Sequence, residues 1–206
     1  MTNEERKRAS GNGRRGGRRP RIPRKVTRTS LENAALAYLA RFATTAHGLT
    51  EMLMRRVHRA AYHHGSDPAE GQALVDAIVL RYRDAGLIDD AAFAQGRART
   101  LFTRGVAVRG IALRLRRKGV SDDDIAAAIA ALDPDANGKT DTRALDRDAA
   151  RALARRRRLG PWRRGPVDDG TRARELAALA RAGFSYGIAR EVIDEAVNDD
   201  TSADGR

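Results

Sequence analysis

Apolar residues in this chain recur at three- and four-residue intervals, the period of a helix buried along one face. No run of Val, Ile or Thr alternates long enough to propose a strand. Ser30 can cap a first helix that turns Leu31, Ala35, Tyr38, Leu39 and Phe42 to one side. A second covers roughly 50–62, with Met52, Leu53, Val57 and Ala60 inward. His63-His64-Gly65-Ser66 breaks it, and Asp67-Pro68 reads as a cap followed by proline at the first helical position. The third helix presents Leu74, Ala77, Ile78, Tyr82 and Ala85. The same spacing predicts helices over 90–103, 108–118 and 121–132, then 143–158, 171–182 and 186–197, with a loop over 160–166 where prolines and glycines cluster.

The corners are as informative as the helices. Gly86 can take the left-handed conformation that closes a helix, with Leu87 and Ile88 plugging the corner. Asp89 or Asp90 can then accept the free N–H groups of the next helix, whose apolar face starts at Phe93. Gly119 repeats the ending and Ser121 the start, and Ser121 with Asp124 resembles a capping box. Leu115 to Ser121 aligns with Leu179 to Ser185: Leu, Gly and Ser coincide, and Val120 faces Phe184 across Gly119 and Gly183. This internal repeat implies an all-α chain of three tandem three-helix units in an elongated, curved array. The expected boundaries are a disordered basic arm over 1–29, repeats over 30–88, 89–133 and 143–197, a linker over 134–142 and a frayed tail over 198–206.

Composition sharpens this picture. Apolar content is 41% but aromatics are 4%, so alanine must supply much of the packing and interfaces should be thin. Net charge is +13, and residues 1–30 alone hold eleven Lys/Arg against two acids. The arm has nothing to bury and suits loose, salt-sensitive contact with nucleic acid, or simple solubilisation. In the rest, Arg97, Arg99, Arg104, Arg109, Arg114, Arg116, Arg117 and Lys118 follow one another with no acid between Gly96 and Val120. Arg155, Arg156, Arg157 and Arg158, with Arg163 and Arg164 flanking Trp162, form a second cluster around an aromatic. A solvated helix face usually carries acids at i±4, so these clusters suggest a polyanion or an acidic protein surface as partner.

Other chemistry fits poorly. Asp89 and Asp90 have no partner at acid–base spacing, and capping accounts for them. His47, His58, His63 and His64 lack cysteines or acids placed to complete a ligand set, so no metal or other cofactor is expected. No phosphate-cradling loop or nucleophile–base pair is evident, and an enzyme is not expected. The corner at Leu115 to Ile125 could be a helix-turn-helix, but its second helix would open with Asp122, Asp123 and Asp124, which phosphate repels. Zero cysteines are compatible with a reducing cytoplasm, and no apolar run reaches membrane-spanning length.

The stretch Gly86-Leu87-Ile88-Asp89-Asp90-x-x-Phe93-Ala94, followed by Ile111-x-x-x-Leu115-x-x-Lys118-Gly119-Val120-Ser121, resembles the bacterial RecX regulatory proteins, as does Gly183-Phe184-Ser185-Tyr186. The resemblance covers about residues 34–197. It implies three tandem three-helix repeats and a monomer that lies in the groove of the RecA filament on single-stranded DNA. There it would restrain recombinase, ATPase and co-protease activity in homologous recombination and the SOS response. Arg97, Arg104, Arg109, Arg114, Arg116, Arg117, Lys118, Arg155, Arg156, Arg163 and Arg164 would then meet RecA or DNA. The alternative is a sequence-nonspecific nucleic-acid-binding protein acting through the arm and the arginine clusters.

Overall fold

The computed structural model describes residues 25–133, 140–165, 168 and 170–195. Most of the expected arm, most of the linker and the tail lie outside them. Among the described residues there are nine α-helices and no strand: α1 Arg28–Leu39, α2 Ala46–His64, α3 Pro68–Asp84, α4 Asp90–Thr103, α5 Val108–Arg116, α6 Asp122–Ala130, α7 Thr142–Arg157, α8 Thr171–Arg181 and α9 Tyr186–Ile193. They form three units of three, and each unit has its own apolar core. Leu31, Leu49, Leu53, Val75 and Ile78 centre the first, Ala98, Leu101, Ile111, Leu115 and Ile125 the second, and Leu153, Leu179, Phe184, Ile188 and Val192 the third. Alanine does supply the close contacts: Ala35, Ala94, Ala98, Ala149, Ala150, Ala154 and Ala189 are fully shielded.

The repeated corner is the same object twice. Val120 N donates to the carbonyl of Leu115 and Phe184 N to that of Leu179, both at 3.3 Å, while Gly119 and Gly183 bond three residues back at 2.9 Å. Ser121 then caps α6 through Asp124 N, and Ser185 caps α9 through Ile188 N. Val120 and Phe184 are both buried. The two corners share the same closing bonds, an apolar plug after a left-handed glycine and a serine cap.

Several local expectations need correction. Thr27, not Ser30, caps α1; Ser30 is the reciprocal member of a capping box, so the arm gives way to helix by Arg28. Phe42 lies beyond α1 and is half exposed. The second helix starts at Ala46, because Thr45 caps it through Gly48 N. Val75 and Val79 face the core where Ala77 and Ala85 were expected, and Leu87 stands 51% exposed while Ile88 alone plugs the corner. The fifth helix ends at Arg116, and the 160–166 segment includes a 3₁₀ turn, Gly160–Trp162, packed on α7 and α9.

The units are joined by two recurring devices. Asp90, the first residue of α4, accepts a hydrogen bond from Ala46 N at the start of α2, at 2.8 Å. Asp146 of α7 accepts one from Val108 N at the start of α5, at 2.7 Å. In both cases an acid on the first helix of one repeat satisfies an orphan donor at the positive end of the preceding repeat's second helix. Asp89, not Asp90, is therefore the cap of α4, accepting from Ala92 N. The second device is close approach. His47 lies over Gly119, where an added Cβ would come within 2.3 Å of the histidine's Cβ. Gly105 lies against Leu153 and Ala149 in α7. The joints differ in chemistry. Between repeats 1 and 2, buried Thr45 donates its hydroxyl to the carbonyl of Lys118 at 2.6 Å. Between repeats 2 and 3, Ala107 and Phe102 enter the third core.

Candidate functional site

The candidate surface is built on repeat 2. In α4 the buried positions Ala94, Ala98 and Leu101 leave Arg97 and Arg104 two turns apart on the solvent side. In α5 the buried Val108, Ile111 and Leu115 leave Arg109 and Arg116 two turns apart, with Arg114 between them and Arg117 and Lys118 following into the corner. All seven are exposed. The structure sorts them. Arg116 donates to Asp122 through Nε at 3.1 Å and Nη2 at 2.7 Å, so it is partly neutralised by the acidic start of α6. Arg114 reaches back to the carbonyl of Gly110 at 3.1 Å. Arg97, Arg104, Arg109, Arg117 and Lys118 have no carboxylate partner among the described residues.

Lys118 connects this surface to the joint. Its carbonyl receives the Thr45 hydroxyl, so the backbone that carries its ammonium is fixed by the preceding repeat. At the acidic start of α6, Asp124 accepts a 2.7 Å bond from the Ser121 hydroxyl and Asp122 holds Arg116. These carboxylates serve the corner.

In repeat 3 the arginines divide sharply. Arg143 pairs with Glu191, Arg151 with Glu195 at 2.7 Å, and Arg172 bidentately with Asp194 at 2.6–2.8 Å. The Arg172 hydrogen bonds, with its charge, hold the Asp194 carboxyl below the usual range. These arginines fasten α7 and α8 to α9. Arg163, expected as a contact, is instead an internal anchor: its guanidinium is bidentate on Glu175, a nearly buried carboxylate that also accepts Gly160 N at 3.1 Å. The Arg163 hydrogen bonds lower the Glu175 pKa against the opposing effect of burial. Asp168 is held at about 2 by the Arg174 guanidinium and the Thr171 hydroxyl. Arg155, Arg156 and Arg164 remain exposed and unpaired among the described residues, the first two in the last turn of α7, where cations also suit the negative helix end.

The structural corners stand where the sequence put them: Gly86, Gly119 and Gly183 have φ of 68°, 75° and 98°. Phe93 packs partly buried against the second core. Thr45, Asp146, Gly105 and the Glu175–Arg163 pair were not foreseen. Asp146 is raised in pKa by burial, with the Val108 N–H opposing. Among the described residues no group of three or more His, Asp or Glu is placed to hold a metal ion. Among them, too, no helix is long and apolar enough to cross a membrane.

Residues 89–129, the heart of this surface, match the family model described as RecX, second three-helix domain. Regulatory protein RecX of Myxococcus xanthus is 46% identical over 178 residues, spanning 86% of this chain and 91% of that protein. This chain belongs to the RecX family. Regulatory protein RecX of Agrobacterium fabrum is 31% identical over 161 residues, covering 78% of this chain and 80% of its own length. A crystal structure of regulatory protein RecX superposes with a TM-score of 0.56 at 23% identity, over 82% of this chain and 72% of that one, which supports the all-helical RecX fold.

Proposed function

We propose that this RecX-family protein binds the RecA filament on single-stranded DNA as a monomer in the cytoplasm and restrains its recombinase, ATPase and co-protease activities without an enzymatic step of its own. The observation that carries the reading is the unpaired cationic surface of repeat 2, set on helices that neighbouring repeats lock in place. A contact surface for a regular filament needs charges at fixed spacing. Coupling the starts of α2 and α5 to the next repeat through Asp90 and Asp146 supports such spacing. Electrostatic contact of this kind acts on acidic protein or phosphate alike.

The test is DNA-dependent ATP hydrolysis by RecA, titrated with substoichiometric protein. The wild-type chain should suppress it. Replacing Arg97, Arg104, Arg109, Arg117 and Lys118 with Glu should abolish suppression while circular dichroism shows unchanged helicity. A charge-reversed protein that inhibits normally would show that this face is not the contact. Deleting residues 1–24 separates the alternative, binding to nucleic acid chiefly through the arm. Inhibition that survives the deletion supports the filament reading, and loss of most affinity with the arm would favour the alternative.

A further inference from the structure

The elbow between α7 and α8 has features that the filament reading does not require. Arg155, Arg158, Pro161, Trp162, Arg163 and Arg164 line a cleft of about 450 Å³. Arg163 is neutralised by Glu175, which also holds Gly160 N, so the 3₁₀ turn carrying Trp162 is pinned from both ends. Trp162 packs partly buried against the third core and lines the cleft. Arg155, Arg158 and Arg164 have no ion-pair partner among the described residues.

Arg158 is the telling residue. It closes α7 in the left-handed conformation, φ 58° and ψ 51°. Helices α3, α4, α5 and α8 end with the same backbone turn, and each uses glycine there: Gly86, Gly105, Gly119 and Gly183. The hydrogen bonding repeats that of the glycine corners, with Leu159 N donating to the carbonyl of Ala154 at 2.9 Å. The backbone would be served at least as well by glycine, and a fourth consecutive arginine adds repulsion to strain.

We infer that this elbow is a binding cleft for single-stranded nucleic acid, in which Arg155, Arg158 and Arg164 hold backbone phosphates while a base stacks on Trp162. Three uncompensated cations around one aromatic edge match a nucleotide, which carries an anion and a flat ring within one unit. A duplex keeps its bases stacked on each other and cannot offer one to the ring. The inference deepens the filament reading, because a strand held inside the filament would be the occupant, but it is tested without RecA.

Trp162 is the only tryptophan in the chain, so its emission reports this cleft and not the arm. Oligothymidylate titrated into the full-length protein should quench that emission saturably. Changing Arg155, Arg158 and Arg164 to Gln should flatten the dependence of log affinity on log salt by about 2, at roughly 0.7 for each phosphate no longer neutralised. Arg158→Gly alone should weaken binding several-fold while the protein melts at the same temperature or higher. Saturation with no change in Trp162 emission would overturn the inference, as would an Arg158→Gly protein that melts lower, since the arginine would then be holding the fold. Equal quenching by polyglutamate would also overturn it, showing a general anion patch. RecA restraint measured in parallel keeps the two readings apart. Restraint without quenching sinks the cleft alone, and quenching without restraint sinks the filament reading alone.

Discussion

The joint between repeats 2 and 3 should be sensitive to substitution, and Gly105 tests it. Gly105 has φ +71°, and a Cβ there would lie 2.6 Å from both Leu153 Cβ and Leu153 N, and 2.7 Å from the carbonyl oxygen of Ala149. Two of those atoms are backbone of α7, so the overlap is relieved only by moving the helix. Placing alanine in the left-handed region costs roughly 1–2 kcal/mol. Displacing a packed element adds about 1–3 kcal/mol. Gly86 provides the control, with φ +68° and open space within 4 Å of where a Cβ would stand, so Gly86→Ala should cost the backbone part alone. At ~2–4 °C per kcal/mol for a chain of this size, Gly105→Ala should melt about 10 °C low and Gly86→Ala about 4 °C low. Far-UV circular dichroism on heating, checked by urea midpoints, reads both. Equal losses would refute the reasoning, because they would mean that α7 does not press on Gly105. A Gly105→Ala protein still folded at the assay temperature should also restrain RecA less well than Gly86→Ala, since the setting of repeat 3 on repeat 2 has changed.

Two further outcomes follow. Thr45→Val removes the donor to the Lys118 carbonyl and the acceptor for Gly48 N inside the joint between repeats 1 and 2, and should cost about 1–3 kcal/mol by urea denaturation, with Thr45→Ser recovering most of it. The Glu175–Arg163 pair should make the elbow acid-sensitive. Because the Glu175 pKa is lowered on folding from its ordinary 4.5, the pair stabilises above that value and its contribution is lost as pH falls through the folded value. Trp162 emission should therefore change in acid below pH 4.5, and Glu175→Gln should show a flattened transition and lower stability at neutral pH. An unaltered acid transition in that variant would assign it to other carboxylates.

What was legible in the sequence was local. Gly119-Val120-Ser121 and Gly183-Phe184-Ser185 state a helix end, a buried plug and a cap within three residues, so their geometry needs no distant information. Asp89 and Asp90 show where this stops. Either carboxylate could cap α4 on paper, and only the placement of α2 gives Asp90 a separate donor in Ala46 N. The start of α2 was misplaced for a related reason: Thr45 works on Gly48 N and on the Lys118 carbonyl far along the chain, and His47-Gly48 is weak helix-forming sequence until Gly119 packs against it. Gly105 reads as an ordinary helix-closing glycine, and its second duty, admitting α7, has no signature within its own repeat.

The arginines carry the same lesson into function. Counting acids at i±4 marks a helix as uncompensated, but compensation in a repeat array comes from the neighbouring helix. Glu191 in α9 and Glu195 just beyond it meet Arg143 and Arg151 on α7, and Asp194 meets Arg172 on α8. Arg163, expected with Arg164 as a contact beside the lone tryptophan, is occupied by Glu175. Subtracting those pairs does not dilute the cationic surface evenly. It leaves Arg97, Arg104, Arg109, Arg117 and Lys118 uncompensated on repeat 2 and Arg155, Arg158 and Arg164 on the elbow of repeat 3, while unpaired arginines such as Arg55, Arg56 and Arg59 also stand exposed on repeat 1. Exposed pairs of this kind add little stability each. Their larger effect is to fix which positive charges are left for a partner, and so the ion pairs around α9, outside either surface, define the charge pattern that an acidic or phosphate-bearing ligand would meet.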